Sequence, residues 1–166
     1  MSEIDEVLLA NQAYAMSFSH GELPMSPARK LAVVACMDSR QAVVQMLGLK
    51  PGEAHIIRNA GGIVTEDVLR SLILSHHLLG TQEFMIINHT DCGMLTFKDD
   101  DLRKKLEQQT GTASGVPAHF HAFHDLEANV RDQIQNVKAH PWVPEQIPVR
   151  GFIYDVKSGK LNEVSA

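Results

Sequence analysis

Two cysteines and a histidine stand where apolar runs end. Cys36 closes "LAVVAC", with Asp38 and Arg40 just beyond it. Cys92 follows His89 by three residues in "INHTDCGM", after another apolar run. Two thiolates and one imidazole suit zinc, bound tetrahedrally with Zn–S of about 2.3 Å and Zn–N of about 2.0 Å. The short His89–Cys92 spacing lets one turn of loop aim both at a single ion, and Cys36 closes the third corner. Three firm ligands leave a corner for water, as in a catalytic site; a closed structural site would use four. Zinc lowers the pKa of such a water and makes a hydroxide nucleophile. Two thiolates donate more charge than neutral imidazoles, so this water should be less acidic than on a three-histidine zinc. Two roles are open to Asp38: accepting a hydrogen bond from the zinc-bound hydroxide, or swinging onto zinc as a fourth ligand that shuts the site. Arg40 can hold that carboxylate bidentately, which a lysine does less well. If the chain there is extended, residues two apart share a side and the pairing is sterically easy.

The elements that must bring these residues together are readable as apolar runs alternating with helical ones. Leu31 to Cys36 reads as a buried strand, Gln41 to Leu47 as a short helix, and "AHIIRN" as a second strand followed by "AGG". Thr65 to Leu79 is the clearest helix, with Thr65 to cap it, Glu66 and Asp67 at its positive end, and Gly80 to stop it. "EFMIIN" is a third strand. Helices follow around Asp100 to Gln109 and from Asp125 to Ala139, separated by an irregular segment from Thr112 to His124. "RGFIYDV" and "KLNEV" flank "KSG" as a terminal hairpin. Buried strands alternating with helices predict an α/β fold, a mostly parallel central sheet flanked by helices. Ligands in such sheets bind outside the carboxyl ends of the strands, where strand order reverses. If the first and third strands are neighbours, their ends lie about 4.8 Å apart and Cys36 meets His89 and Cys92 across that crevice.

The N-terminal segment is different. Ser2 and Asp5 form a capping-box pattern, and Ile4, Val7, Leu8, Ala15 and Phe18 give a helical stripe. "HGELPMSP" then tethers this helix to the rest. A tethered helix needs a surface to cover, on its own domain or on a second copy. A chain of 166 residues fits one compact domain, residues 1–166, with residues 1–20 as a helical arm and 31–166 as the catalytic core. A net charge of −5 without a run of Lys or Arg argues against nucleic acid as the main partner. No stretch approaches the ~18 apolar residues of a membrane helix, and the acidic N-terminus does not read as a signal peptide. The expected compartment is the cytoplasm, where Cys36 and Cys92 stay thiols.

"CMDSR" followed by "HTDCG" resembles the β-class carbonic anhydrase signature, C-x-D-x-R and H-x-x-C-G, and "RNAGG" after the second strand matches as well. The resemblance implies one Zn2+ per chain on Cys36, His89 and Cys92, an Asp38–Arg40 dyad, and reversible hydration of carbon dioxide to bicarbonate, a carbonate dehydratase activity. It implies a homodimer or higher homo-oligomer whose N-terminal helix embraces the partner. Gly93 would offer a backbone N–H near the substrate oxygens. Read by residue type, Gly61 and Gly62 are turn residues with a substrate-lining role as the alternative, and Gly62 is taken as substrate-binding with Gly93. The inhibitory bicarbonate site of some family members includes a tryptophan near the N-terminus. The only tryptophan here is Trp142, so that site is not expected. Carbonyl sulfide and carbon disulfide hydrolases share the fold and ligands, and "GEAHIIRNAGG" with "RGFIYDV" resembles them too. A third reading is a non-catalytic zinc protein with Asp38 as a permanent fourth ligand.

One rival cluster is "HFHAFH", with His119, His121 and His124. Lacking a thiolate, it reads as a surface or substrate-tunnel feature or a proton relay rather than a metal site. His76 and His77 fall on the Thr65 helix and point in different directions, toward packing or solvent.

Overall fold

The computed structural model describes residues 1–165. Five strands form one sheet: β1 (Leu31–Cys36), β2 (Ala54–Asn59), β3 (Glu83–His89), β4 (Val149–Tyr154) and β5 (Leu161–Val164), in the order β2-β1-β3-β4-β5. The first four are mutually parallel and β5 returns antiparallel along β4. The helices are α1 (Glu3–Met16), α2 (Val43–Met46), α3 (Glu66–His77), α4 (Asp99–Thr110) and α5 (Leu126–Lys138). The expected mostly parallel α/β sheet is therefore present.

Strand β1 is central, and its uninterrupted apolar run follows from cover on both faces. Ala32 and Val34 pack with Phe84 and Ile86 of β3 against Val68 and Leu72 of α3 and Val130, Ile134 and Val137 of α5. Val33 and Ala35 face the other way, with Ile87, against Val43 of α2. Helix α5 sits so close on β4 that a Cβ at Gly151 would overlap Val130 and Ile134. From β1 the chain steps outward to β2. It then crosses back through α3 to β3, on the other side of β1, and onward to β4. Strand order thus reverses between β1 and β3, and the crevice opens at their carboxyl ends.

The caps account for the helix limits. Thr65 precedes α3, and its hydroxyl accepts from the Val68 N–H. The Asp125 carboxylate accepts from the Ala128 N–H at the start of α5 (2.9 Å), and α4 stops at Gly111 in the left-handed region (φ 67°). Helix α2 is shorter than expected, because the N–H of Gln41 is still held in a turn by the Asp38 carbonyl. At the N-terminus the capping box forms reciprocally: the Ser2 hydroxyl accepts from the Asp5 N–H, and the Asp5 carboxylate from the Ser2 N–H. Yet no residue of α1 is buried, and Ile4 remains 68% exposed. Among the described residues, none of the helices is long and apolar enough to cross a membrane.

Candidate metal centre

The end of β1 and the end of β3 deliver Cys36, His89 and Cys92 to one point. Their ligand atoms all lie within 4.8 Å of one another, and all three residues are buried. His89 Nδ1 lies 2.9 Å from the Thr90 carbonyl oxygen. A carbonyl can only accept, so Nδ1 carries a proton and, in the neutral imidazole that binds metal, Nε2 presents a lone pair. That Nε2 is buried without a hydrogen-bond partner. Leaving such an acceptor unpaired costs roughly 1–3 kcal/mol, and a cation held with the two sulfurs would satisfy it.

The two sulfurs are in hydrogen-bond contact, and that contact drives their acidities apart. The hydrogen bond from Cys92 draws the Cys36 thiol down to about 4 against the opposing effect of burial, with help from His89 and from the Asp38 and Gly61 amides. The same bond, together with burial, pushes Cys92 up. Burial resists a charged His89, but contact with the Cys36 thiolate outweighs it and the imidazole is raised. Two sulfurs and one imidazole within 4.8 Å of one another form a donor set suited to a divalent cation, whose binding releases the protons these groups still carry.

Asp38 and Arg40 pair by a different geometry from the extended chain expected of them. They lie beyond β1 in a turn, where the Arg40 backbone N–H donates to Asp38 Oδ1 (2.9 Å). The guanidinium then folds back, with Nε on Oδ1 at 3.0 Å and Nη2 on Oδ2 at 2.7 Å. These bonds hold the Asp38 carboxyl well below the usual carboxylate range. Asp38 Oδ2 lies 3.7 Å from His89 Nε2.

Two residues that sequence reasoning did not single out complete the frame. Asp91, in the left-handed region (φ 56°), accepts from Arg40 through Oδ2 (2.7 Å) and through its carbonyl (2.9 Å). Arg40 therefore straps the turn after β1 to the loop that carries Cys92. Arg58 of β2 donates to the carbonyls of Cys36 (2.8 Å) and Asp38 (2.7 Å). A charge inside the apolar "HIIRN" was the available signal for Arg58.

A cavity of about 410 Å3 opens onto the centre. Cys36, Asp38, Gly61, Cys92 and Gly93 line its polar side, and Met94, Phe97 and Leu102 its apolar side. Gly61, not Gly62, faces it. Gly62 (φ 63°) is pressed behind, where a Cβ would stand 3.0 Å from the Cys36 nitrogen. A larger groove of about 970 Å3 outside α3, lined by Leu69, Ile73 and Trp142, contains none of the three converging ligands.

His119, His121 and His124 are exposed, and among the described residues Cys36, His89 and Cys92 are the only group whose ligand atoms converge. His76 Nδ1 donates to the Thr81 carbonyl and His77 Nε2 to that of Trp142, so both serve packing.

A family model described as "Carbonic anhydrase" matches residues 31–161. Beta-carbonic anhydrase 1 of Mycobacterium tuberculosis is 46% identical over 165 residues, covering 99% of both chains. Carbon disulfide hydrolase of Saccharolobus solfataricus is 33% identical, covering 96% of this chain and 88% of that one. Among solved structures, carbonic anhydrase from Streptococcus mutans superposes with a TM-score of 0.94 at 44% identity, covering 99% of each chain. An apo form of carbon disulfide hydrolase gives 0.77 at 30% identity, covering 98% of this chain and 90% of that one.

Proposed function

The chain belongs to the carbonic anhydrase family, and on that premise we propose that it is a zinc enzyme that reversibly hydrates carbon dioxide to bicarbonate. The observation that carries this reading is the unpartnered Nε2 of His89, buried where both sulfurs converge on it. Cys36, His89 and Cys92 would hold one Zn2+ per chain. Zinc bound there supplies an activated water near neutral to alkaline pH.

The remaining work falls to side chains and backbone. Asp38, ionised across the working pH range, accepts a hydrogen bond from the nucleophile and aims its lone pair at the substrate carbon. Arg40 occupies both Asp38 oxygens, which supports an orienting acceptor over a permanent fourth ligand and so favours an open site over a closed structural one. Gly93 presents its N–H at the cavity wall for the substrate oxygens. Gly61 takes the lining role that Gly62 was expected to share. Met94, Phe97 and Leu102 give a small linear apolar molecule a dry wall to rest on.

Stopped-flow hydration and metal analysis on one sample test the proposal. Stoichiometric zinc and a rate above background that rises with pH are expected. No zinc, or no rate at neutral and alkaline pH, overturns it. A second reading, hydrolysis of carbon disulfide or carbonyl sulfide, draws support from the relatives named carbon disulfide hydrolase. Hydrogen sulfide release would favour it, and its absence excludes it.

We also infer a homodimer or higher homo-oligomer, in which the uncovered apolar residues of α1 pack on a second copy. Two free thiols fit a reducing, cytoplasmic setting.

A further inference from the structure

Three buried amides form a one-way relay that ends beside the metal centre. The Val64 N–H donates to Gln133 Oε1 (2.8 Å), Gln133 Nε2 to Asn129 Oδ1 (3.0 Å), and Asn129 Nδ2 to Asn88 Oδ1 (2.7 Å). Asn88 Nδ2 then donates to the carbonyls of Gly61 (2.8 Å) and Gly62 (3.3 Å). A backbone N–H can only donate and a carbonyl can only accept, so the two ends fix the orientation of every amide between them. Asn88, Asn129 and Gln133 are 1%, 7% and 4% exposed. Asn129 and Gln133 sit one turn apart on α5, beside Val130 and Ile134, where apolar residues would fill the core without desolvating any amide.

What the relay secures is the Gly61–Gly62 turn. Both glycines are left-handed (φ 82° and 63°), and the Gly61 N–H donates to Cys36 Sγ at 3.3 Å. The carbonyl of Gly61 is gripped by Asn88 while its N–H meets the sulfur, so the relay sets the position of that N–H. We propose that Asn88, Asn129 and Gln133 are positioning residues for the Cys36 sulfur, acting through the Gly61 amide, and that they tune the charge this sulfur donates to a bound metal. The proposal rests on the zinc reading given above. An N–H···S bond withdraws charge from a thiolate, and hydrogen bonds one step removed from a metal typically change its affinity about 10–100-fold.

Asn129→Leu tests it, because Asn129 is hydrogen-bonded to Asn88 and Gln133 and not to a ligand residue or Gly61. Val130→Ala is the control: the same helix and an equally buried neighbour, but no atom of the relay. Gln133→Met, one link further out, is the second variant and decides the matter if Asn129→Leu does not fold. Each protein is loaded with cobalt(II) for the thiolate-to-metal charge-transfer band and with zinc for the rate of release to a chelator. The expected result is a red-shifted band and a zinc-release rate changed about tenfold or more in Asn129→Leu, a smaller change of the same sign in Gln133→Met, and neither in Val130→Ala. A relay variant whose band superposes on that of the parent, or a Val130→Ala protein that shifts as far, overturns the proposal while the zinc reading stands. A parent protein that binds neither metal overturns both.

Discussion

Asp99 offers a direct test of how the irregular segment between α4 and α5 is held over the metal centre. At the first turn of α4 its carboxylate accepts from three successive backbone amides: Phe120 (2.7 Å), His121 (3.1 Å) and Ala122 (2.9 Å). The next residue, Phe123, is buried in one apolar cluster with Cys36, Ile63, Cys92 and Met94, and its N–H donates to the Met94 carbonyl. One carboxylate therefore pins the strip that brings Phe123 into the apolar cluster containing Cys36 and Cys92. A hydrogen bond to a charged group contributes about 1.5–3 kcal/mol net, but these three share one half-buried acceptor, and the freed amides regain water. Asp99→Ala should then cost about 2–4 kcal/mol of local stability rather than the full sum. At about 1.4 kcal/mol per decade, the amides of Phe120, His121 and Ala122 lose roughly 30- to 700-fold of their exchange protection.

The pH dependence has a definite sign. Burial works to raise the Asp99 carboxyl, but the amides of Ala122, Phe120 and His121 outweigh it and hold it low. A group depressed in the folded state contributes stability that is complete above its unfolded pKa, about 3.9, and fades as pH falls through the lower folded value. Hydrogen exchange of residues 118–124 should show wild-type protection weakening from about pH 4 downward, with no such step in Asp99→Ala. Protection at the three amides within about threefold of wild type in the variant would refute the pinning argument.

Gly62→Ala must place a side chain in the left-handed region and 3.0 Å from both Asn88 Nδ2 and the Cys36 nitrogen. The expected loss is about 2–5 kcal/mol in denaturant unfolding, and a loss under about 1 kcal/mol contradicts it. Arg40→Lys keeps the charge but cannot grip Asp38 and Asp91 together. Global stability should change by less than about 1 kcal/mol because Arg40 is exposed and lysine keeps the charge, while carbon dioxide hydration falls about tenfold or more; unchanged hydration rates contradict the strap. Deleting residues 2–20 should lower the assembly mass measured by light scattering and leave the far-ultraviolet signature of the sheet intact. An unchanged mass assigns the interface elsewhere.

How much was readable from the residues depended on how far apart the partners lie. Strands β1 and β3 announced themselves because both faces are covered, which makes their apolar runs continuous. The three ligands were visible by type because Cys36 and His89 end such runs and Cys92 follows His89 by three residues. Their meeting needed only the adjacency of β1 and β3, which the order of elements suggested and the sheet contains. The grip of Arg40 on Asp91 joins residues 51 apart and has no local pattern. Asn129 and Gln133 read as polar positions on an amphipathic helix and would be turned to solvent. Only the packing of α5 on the sheet reveals that they face inward with Val130 and Ile134. Gly61 and Gly62 are equivalent in sequence, and which of them faces the cavity is decided by the closeness of β1 to one of them.

Helix α1 is the opposite case, with every local signal in place and no tertiary one. Its capping box closes reciprocally and its acids crowd the first turn, as the macrodipole favours. A 14-residue helix is nonetheless marginal by itself in water, since propagation barely repays nucleation at that length. Packing of an apolar face normally supplies the difference, and here Ile4, Val7 and Leu8 are all more than half exposed. Isolated apolar residues on a surface call for no explanation, but a stripe at helical spacing with no buried member does. The chain supplies the helix without covering it from its own fold, which supports the proposal that α1 packs on a second copy. Removing the arm should therefore alter assembly while the metal centre, built wholly from β1, β3 and the loops beyond them, keeps its ligands.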